Sequence, residues 1–190
     1  IPRFYPFKGG AERNTEALAE RMVKEGYDVT VITTDVRFRS EKLEREEEYK
    51  GIKIIRIHAW NKFLYAGFYP ELLPFILKNK YDIIHTSGIG FLWREICLII
   101  KKTFSRKTKF IVTPHGPFMA LGDKKGFRGF VKKWYTRILR LFLNGLYDAV
   151  IEVTPKQKEW MISEYKIKED KIFLVPNGID KSYLANELVE

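Results

Sequence analysis

Short β-branched runs alternate with helical stretches along nearly the whole chain, and this alternation is the feature that most narrows its fold. The segments Asp28 to Thr34, Ile52 to His58, Tyr81 to Thr86, Lys109 to Thr113, Asp148 to Val153 and Lys171 to Val175 read as strands, several of them apolar on both faces. Strands of that kind lie inside a sheet covered on both sides. Between them, Arg13 to Glu25, Phe68 to Asn79, Leu92 to Lys102, Phe127 to Leu146 and Pro155 to Tyr165 carry helical spacing. The last has a start signal, with Thr154 at the N-cap, Pro155 at the first helical position and Gln157 placed for a capping box. Strand-helix alternation over this length predicts an α/β fold. The expected form is a Rossmann-like, doubly wound, mostly parallel sheet with helices on both faces and a ligand crevice at the carboxyl ends of the strands.

A glycine pair, Gly9-Gly10, stands at the entrance to the first helix. Glycines there let backbone N–H groups approach an anion, and the helix start adds roughly half a positive charge behind them. Only Ile1 to Tyr5 precede this loop, too few for a central strand, so the expectation is that the first strand is truncated. The charged stretch from Arg37 to Lys50, with Glu44 to Glu48 at its centre, reads as a solvated, mobile connection.

No apolar run approaches the roughly 20 residues needed to span a bilayer, and the hydrophobic content of 45% over 190 residues suffices for one core. With a lone cysteine, Cys97, there is no intrachain disulfide and no multi-cysteine metal site. Three histidines without ligand spacing give no catalytic zinc signature, and neither a Walker-type nor a Gly-x-Ser-x-Gly segment is present. A soluble, cytoplasmic protein without a metal cofactor is expected.

Six short motifs then fall into register: Gly9-Gly10-Ala11-Glu12, Gly26-Tyr27-Asp28-Val29-Thr30-Val31-Ile32-Thr33, Asp82-Ile83-Ile84-His85, Thr113-Pro114-His115-Gly116, Asp148-Ala149-Val150-Ile151 and Val175-Pro176-Asn177-Gly178-Ile179-Asp180. In order and approximate spacing the chain resembles the N-terminal half of family-4 retaining glycosyltransferases. That resemblance implies a GT-B architecture, in which two Rossmann-like domains face each other across a cleft, the first holding the acceptor and the second the nucleotide-sugar donor. Residues 1–175 would form the acceptor-side domain and residues 176–190 the start of the interdomain linker, with the donor domain absent. The run His85-Thr86-Ser87 departs from the many members that carry a second histidine two residues after the first.

The resemblance also implies roles. Gly9 and Gly10 would bring N–H groups to the donor diphosphate, Glu12 would face the acceptor, and His115 would be the catalytic contact beside the transferred sugar. Trp60, Asn61 and Lys62 offer an aromatic platform and polar tips for an acceptor sugar, although an aromatic loop also serves plain packing. His58 and His85 end strands as well and read as structural. The implied partners are a nucleotide-sugar donor, a glycan or lipid-linked acceptor and the missing C-terminal domain. No metal or other cofactor is implied.

Charge provides a second, independent clue. Between positions 101 and 140 twelve Lys or Arg residues stand against the single acid Asp123, so the whole net charge of +10 is local to that stretch. Within it Phe127, Phe130, Val131, Trp134, Ile138, Leu141 and Phe142 follow helical spacing, while Arg128, Lys132, Lys133, Arg137 and Arg140 supply a basic face. Two readings stay open: contact with an anionic membrane on its cytoplasmic face, or a core-facing helix with a solvated basic side. A basic nucleic-acid module and a half-domain of another GT-B enzyme, such as a nucleotide-sugar epimerase, are the alternatives. Nucleic acid is the weaker partner because no recognised nucleic-acid motif is present.

Overall fold

The computed structural model describes residues 1–35, 43–60, 67–115 and 127–178. Its strands are β1 (Thr30–Thr34), β2 (Glu46–Tyr49), β3 (Ile52–Ile57), β4 (Ile83–Ser87), β5 (Lys109–Thr113), β6 (Ala149–Glu152) and β7 (Ile172–Leu174). The helices are α1 (Gly10–Lys24), α2 (Leu72–Lys78), α3 (Leu92–Phe104), α4 (Phe127–Leu146) and α5 (Pro155–Tyr165). The six anticipated strands and five anticipated helices are present, most with ends displaced by one to four residues.

The expected sheet forms as two parts. One has the order β1-β3-β2 and the other β4-β5-β6-β7, with all neighbours in the second parallel. Strand period decides how the first part is covered. Val31 of β1 and Ile52 and Ile54 of β3 pack beneath Ala19 of α1 together with Phe4. Ile32 and Ile57 point the other way, into the main core with Ile76 of α2, Leu98 of α3, Phe110 and Val112 of β5, Leu143 of α4 and Met161 of α5. Both faces are therefore buried, as a doubly wound arrangement requires. The opening residues run beside β1: the Ile1 amine donates to Ile32 O at 3.2 Å, and the Thr34 hydroxyl donates to Pro2 O at 2.7 Å.

The segment read as a solvated connection from Arg37 to Lys50 contains β2, and here the sequence expectation is corrected. Glu46–Tyr49 pairs antiparallel with β3. Its hairpin closes through Lys50 and Gly51, both at positive φ (55° and 77°), the pair of left-handed residues that a tight two-residue turn needs. A Cβ on Gly51 would also lie 2.9 Å from Val23 Cγ1. Charged residues on an edge strand discourage pairing with other chains, which is why a run of glutamates reads as loop and yet folds as strand. Its inner face is used: Glu47 accepts from Arg56 Nη1 at 2.6 Å, and Tyr49 stacks on Tyr5 with ring centroids 3.9 Å apart.

At α5, Thr154 has the extended backbone of an N-cap, but its side chain makes no capping bond. Gln157 Oε1 instead accepts from Val153 N, one residue earlier than a capping box would place it.

Candidate functional site

The chain enters the site through Tyr5-Pro6, a cis peptide, after which Phe7 N donates to Phe4 O at 3.1 Å. Gly9 is extended (φ −90°, ψ 176°) and α1 opens at Gly10, three residues before the start read from periodicity. Gly10, Ala11 and Glu12 thus form the leading turn, whose N–H groups have no acceptor within the helix and point ahead of it. The Glu12 carboxylate folds back over Gly9 so closely that a Cβ on Gly9 would lie 2.2 Å from Oε2. Any side chain there would displace the carboxylate.

His115 stands two residues past the end of β5, after Pro114, and sits in the left-handed region at φ 57°. Burial pushes its pKa down from the ordinary histidine value, while the Glu12 charge pulls it back up. His85, in β4, exchanges a hydrogen bond with Thr113 through Nε2 at 2.8 Å. Part of its ring meets solvent, yet burial, then the charge of His115, then the chain N-terminus push its pKa down to about 4. Near neutral pH both rings are therefore uncharged and can donate from one nitrogen and accept at the other. Charge links Glu12 to His115 and His115 to His85, which lies in the middle of β4 and not at the strand end read from the sequence.

The loop after β4 is held by a group that sequence reasoning missed. Arg94 Nη1 donates to Ser87 O at 3.0 Å and Nη2 to Gly88 O at 2.7 Å, while Glu95 Oε1 accepts from Gly90 N at 2.9 Å. The two side chains pair with each other at 2.9 Å, and Glu95 is 1% exposed. Gly88 N in turn donates to Thr113 O at 2.7 Å, tying the loop to the end of β5 just before His115. Gly88 and Gly90 both have positive φ (81° and 90°), and a Cβ on Gly88 would lie 2.9 Å from the Phe91 ring. The signal in the sequence was an Arg-Glu pair set in an apolar helix, at positions that turn into the core.

Trp60 is 69% exposed, its backbone N–H donates to Phe68 O at 3.0 Å, and its ring meets Phe68 edge-on at 6.3 Å. Asn61, Lys62 and Gly116 lie outside the described residues. On α4 the described apolar residues expected to decide its role face outward: Trp134, Ile138, Leu141 and Phe142 are exposed, and among the described side chains Leu143 and Leu146 enter the core. Arg137 is exposed on the same side. Arg140 is engaged, donating through Nε and Nη2 to Glu164 O and Oε2 at the end of α5. The side chains of Arg128, Lys132 and Lys133 lie outside the described set. Among the described residues no helix is long and apolar enough to cross a membrane, and no group of three or more His, Cys, Asp or Glu is arranged to hold a metal ion.

A doubly wound domain with a glycine-led helix start and a histidine past a strand end has the form of one half of a GT-B glycosyltransferase. The chain belongs to Glycosyltransferase Family 4, whose model matches residues 8–183. Among solved structures it is similar to a glycosyltransferase from Rickettsia africae ESF-5, with a TM-score of 0.64, 18% identity and 99% of this chain covered against 45% of that one. Anabaena HepE, solved in complex with UDP and glucose, superposes with a TM-score of 0.61 at 13% identity, covering 98% of this chain and 48% of that one. Among curated proteins it is 23% identical over 182 residues to the GPI3 subunit of phosphatidylinositol N-acetylglucosaminyltransferase from Saccharomyces cerevisiae, covering 93% of this chain and 37% of the relative. The chain spans less than half the length of each of these relatives.

Proposed function

We propose that this chain is the acceptor-side domain of a glycosyltransferase that moves a sugar from a nucleotide-sugar donor to a glycan or lipid-linked acceptor with retention of anomeric configuration. The observation that carries the reading is the glycine-led start of α1, whose Glu12 acts electrostatically on His115 beyond the end of β5. N–H groups of Gly10 and its neighbours face the place where a leaving diphosphate would gather charge, and preorganised dipoles of this kind stabilise it without reorganisation. A neutral His115 beside them holds a hydroxyl of the transferred sugar. Glu12 accepts from acceptor hydroxyls, and Trp60 provides an apolar platform for a sugar face. The proposal has no metal ion in it, because backbone dipoles take the role of a bound cation.

The relative solved with UDP and glucose makes a uridine-linked sugar the first donor to test. The yeast relative, named for phosphatidylinositol, supports a lipid-borne acceptor. So does α4, which turns Trp134, Ile138, Leu141 and Phe142 to solvent within the most basic stretch of the chain. Apolar groups with an aromatic among them, flanked by Arg137, suit the boundary of an anionic leaflet. The domain would then work on the cytoplasmic face of a membrane as a peripheral protein.

The test is transfer from UDP-sugars by the complete polypeptide, with and without EDTA, followed by NMR of the product's anomeric proton. Retained configuration and indifference to EDTA are expected. An inverted product would remove the retaining assignment, and loss of activity in EDTA the metal-free one.

A further inference from the structure

A second polar site lies at the carboxyl ends of β1 and β3. These strands are parallel neighbours with Thr34 opposite Ile57, so Asp35 and His58 follow side by side where the strands end. His58 Nδ1 meets Asp35 Oδ2 at 2.5 Å, and Asp35 Oδ1 accepts from Ala59 N at 3.0 Å. A carboxylate only accepts, so Nδ1 carries the hydrogen, and Nε2 is the ring's remaining polar atom. No described group bonds Nε2. The pair lines a cavity of ≈ 260 Å³ together with Arg45, Arg56, Glu44 and Glu71.

The chemistry of the lining narrows the occupant. Arg45 is held by Glu71 at 2.8 Å, and Arg56 by Glu47 at 2.6 Å and by the carbonyls of Glu44 and Tyr5 at 2.8 Å each. Both cations are thus already matched in charge, by Glu71 and Glu47, while Asp35 and Glu44 add two further carboxylates. A phosphate would enter against that balance. A neutral group with alternating donors and acceptors does not, and ring hydroxyls supply both from each oxygen. The volume is below the roughly 300–1,000 Å³ of sites that enclose a drug-sized ligand, so it admits one small ring.

We propose that the Asp35–His58 pair and its cavity form a binding subsite for an uncharged ring bearing neighbouring hydroxyls, a saccharide or cyclitol, with one hydroxyl hydrogen-bonded to His58 Nε2. The proposal rests on the acceptor-side reading of the domain and adds where one acceptor ring sits. His58 is then a binding residue and Asp35 a positioning residue that fixes its ring. Through Arg56, which holds the Tyr5 carbonyl, the cavity is joined to the turn that leads to Gly9 and Gly10.

The experiment is NMR of the imidazole nitrogens of the 190-residue chain during titration with myo-inositol in one arm and methyl α-glucopyranoside in the other. Sugar transfer is not the readout, so an absence of transferase activity leaves the result readable. The expected outcome is a saturable shift of His58 Nε2 with one of the two probes, the responsive arm telling cyclitol from saccharide. Asp35→Asn should raise the apparent Kd at least about tenfold, because asparagine offers one acceptor oxygen to two donors, Ala59 N–H and His58 Nδ1–H. His58→Phe should abolish saturable binding. A merely structural pair would lower the melting temperature in these variants and show no probe response in the parent chain. No shift in either arm at about 100 mM probe, where even a Kd of about 10 mM leaves the site mostly filled, overturns the proposal.

Discussion

Arg94 reaches from the first turn of α3 back to the carbonyl of Gly88 at 2.7 Å, and the loop that it holds donates through Gly88 N to the last residue of β5. A buried cation is thus used to fix backbone beside a candidate catalytic histidine. Among the described residues its ion-pair partner is Glu95, which bonds it at 2.9 Å and 3.0 Å. Breaking a buried pair from one side leaves the other charge uncompensated, which costs about 3–5 kcal/mol. Arg94→Met should therefore lower unfolding free energy by about that amount in urea titration, and Glu95→Gln should cost no more than the arginine change. A loss below about 1 kcal/mol for Arg94→Met would show that the loop does not depend on the pair.

Glu152, at the end of β6, is fully buried, and burial pushes its carboxyl up to about 7 from 4.5. The folded chain therefore keeps a proton that the unfolded chain releases between these values, so this group's contribution to stability falls as pH rises through that window. His85 acts in the opposite sense. Its folded value of about 4 lies below the ordinary 6.5, so its contribution is lost as pH falls through that interval. The wild-type profile sums the two, and the difference between variants separates them. Glu152→Gln should gain on the wild type as pH rises from about 4.5 to about 7, measured by melting temperature at each pH. A constant offset between the two would remove the assignment.

The outward face of α4 leads to a vesicle experiment. The domain should sediment with vesicles containing anionic lipid and much less with neutral ones, and more weakly as salt shortens the Debye length below about 8 Å. Replacing Lys132, Lys133 and Arg137 with Glu should abolish sedimentation. Leu141→Ser should weaken it without changing the melting temperature, since Leu141 is 75% exposed and leaves no cavity when truncated. Trp134 fluorescence should shift to the blue on binding. Equal partitioning onto both vesicle types, or none onto either, would leave this face for a protein partner.

Much of this architecture was legible because period and turn chemistry agree along the chain. Ile54 and Ile57 alternate toward two different cores, and Phe127–Leu146 was readable to the residue at both ends. The helix start at Gly9-Gly10 was legible because a glycine pair ahead of a helical run opens a helix. What escaped was set by partners distant in sequence. Glu46–Tyr49 has no apolar alternation and becomes a strand only because Ile52–Ile57 pairs with it and Arg56 takes Glu47. Arg94 and Glu95 look like surface charges until the fold turns them inward. The pairing of His58 with Asp35 spans 23 residues and arises from parallel register, which no local pattern carries.

The central claim is that His115 contacts the transferred sugar at the site led by Gly9 and Gly10. Its most direct measurement is steady-state sugar transfer by the complete polypeptide carrying His115→Ala, with the fold checked by its melting temperature. Loss of a contact made at the reacting centre should lower kcat by about two to three orders of magnitude while the melting temperature stays near that of the wild type. Near-normal kcat in a folded His115→Ala protein would contradict the account.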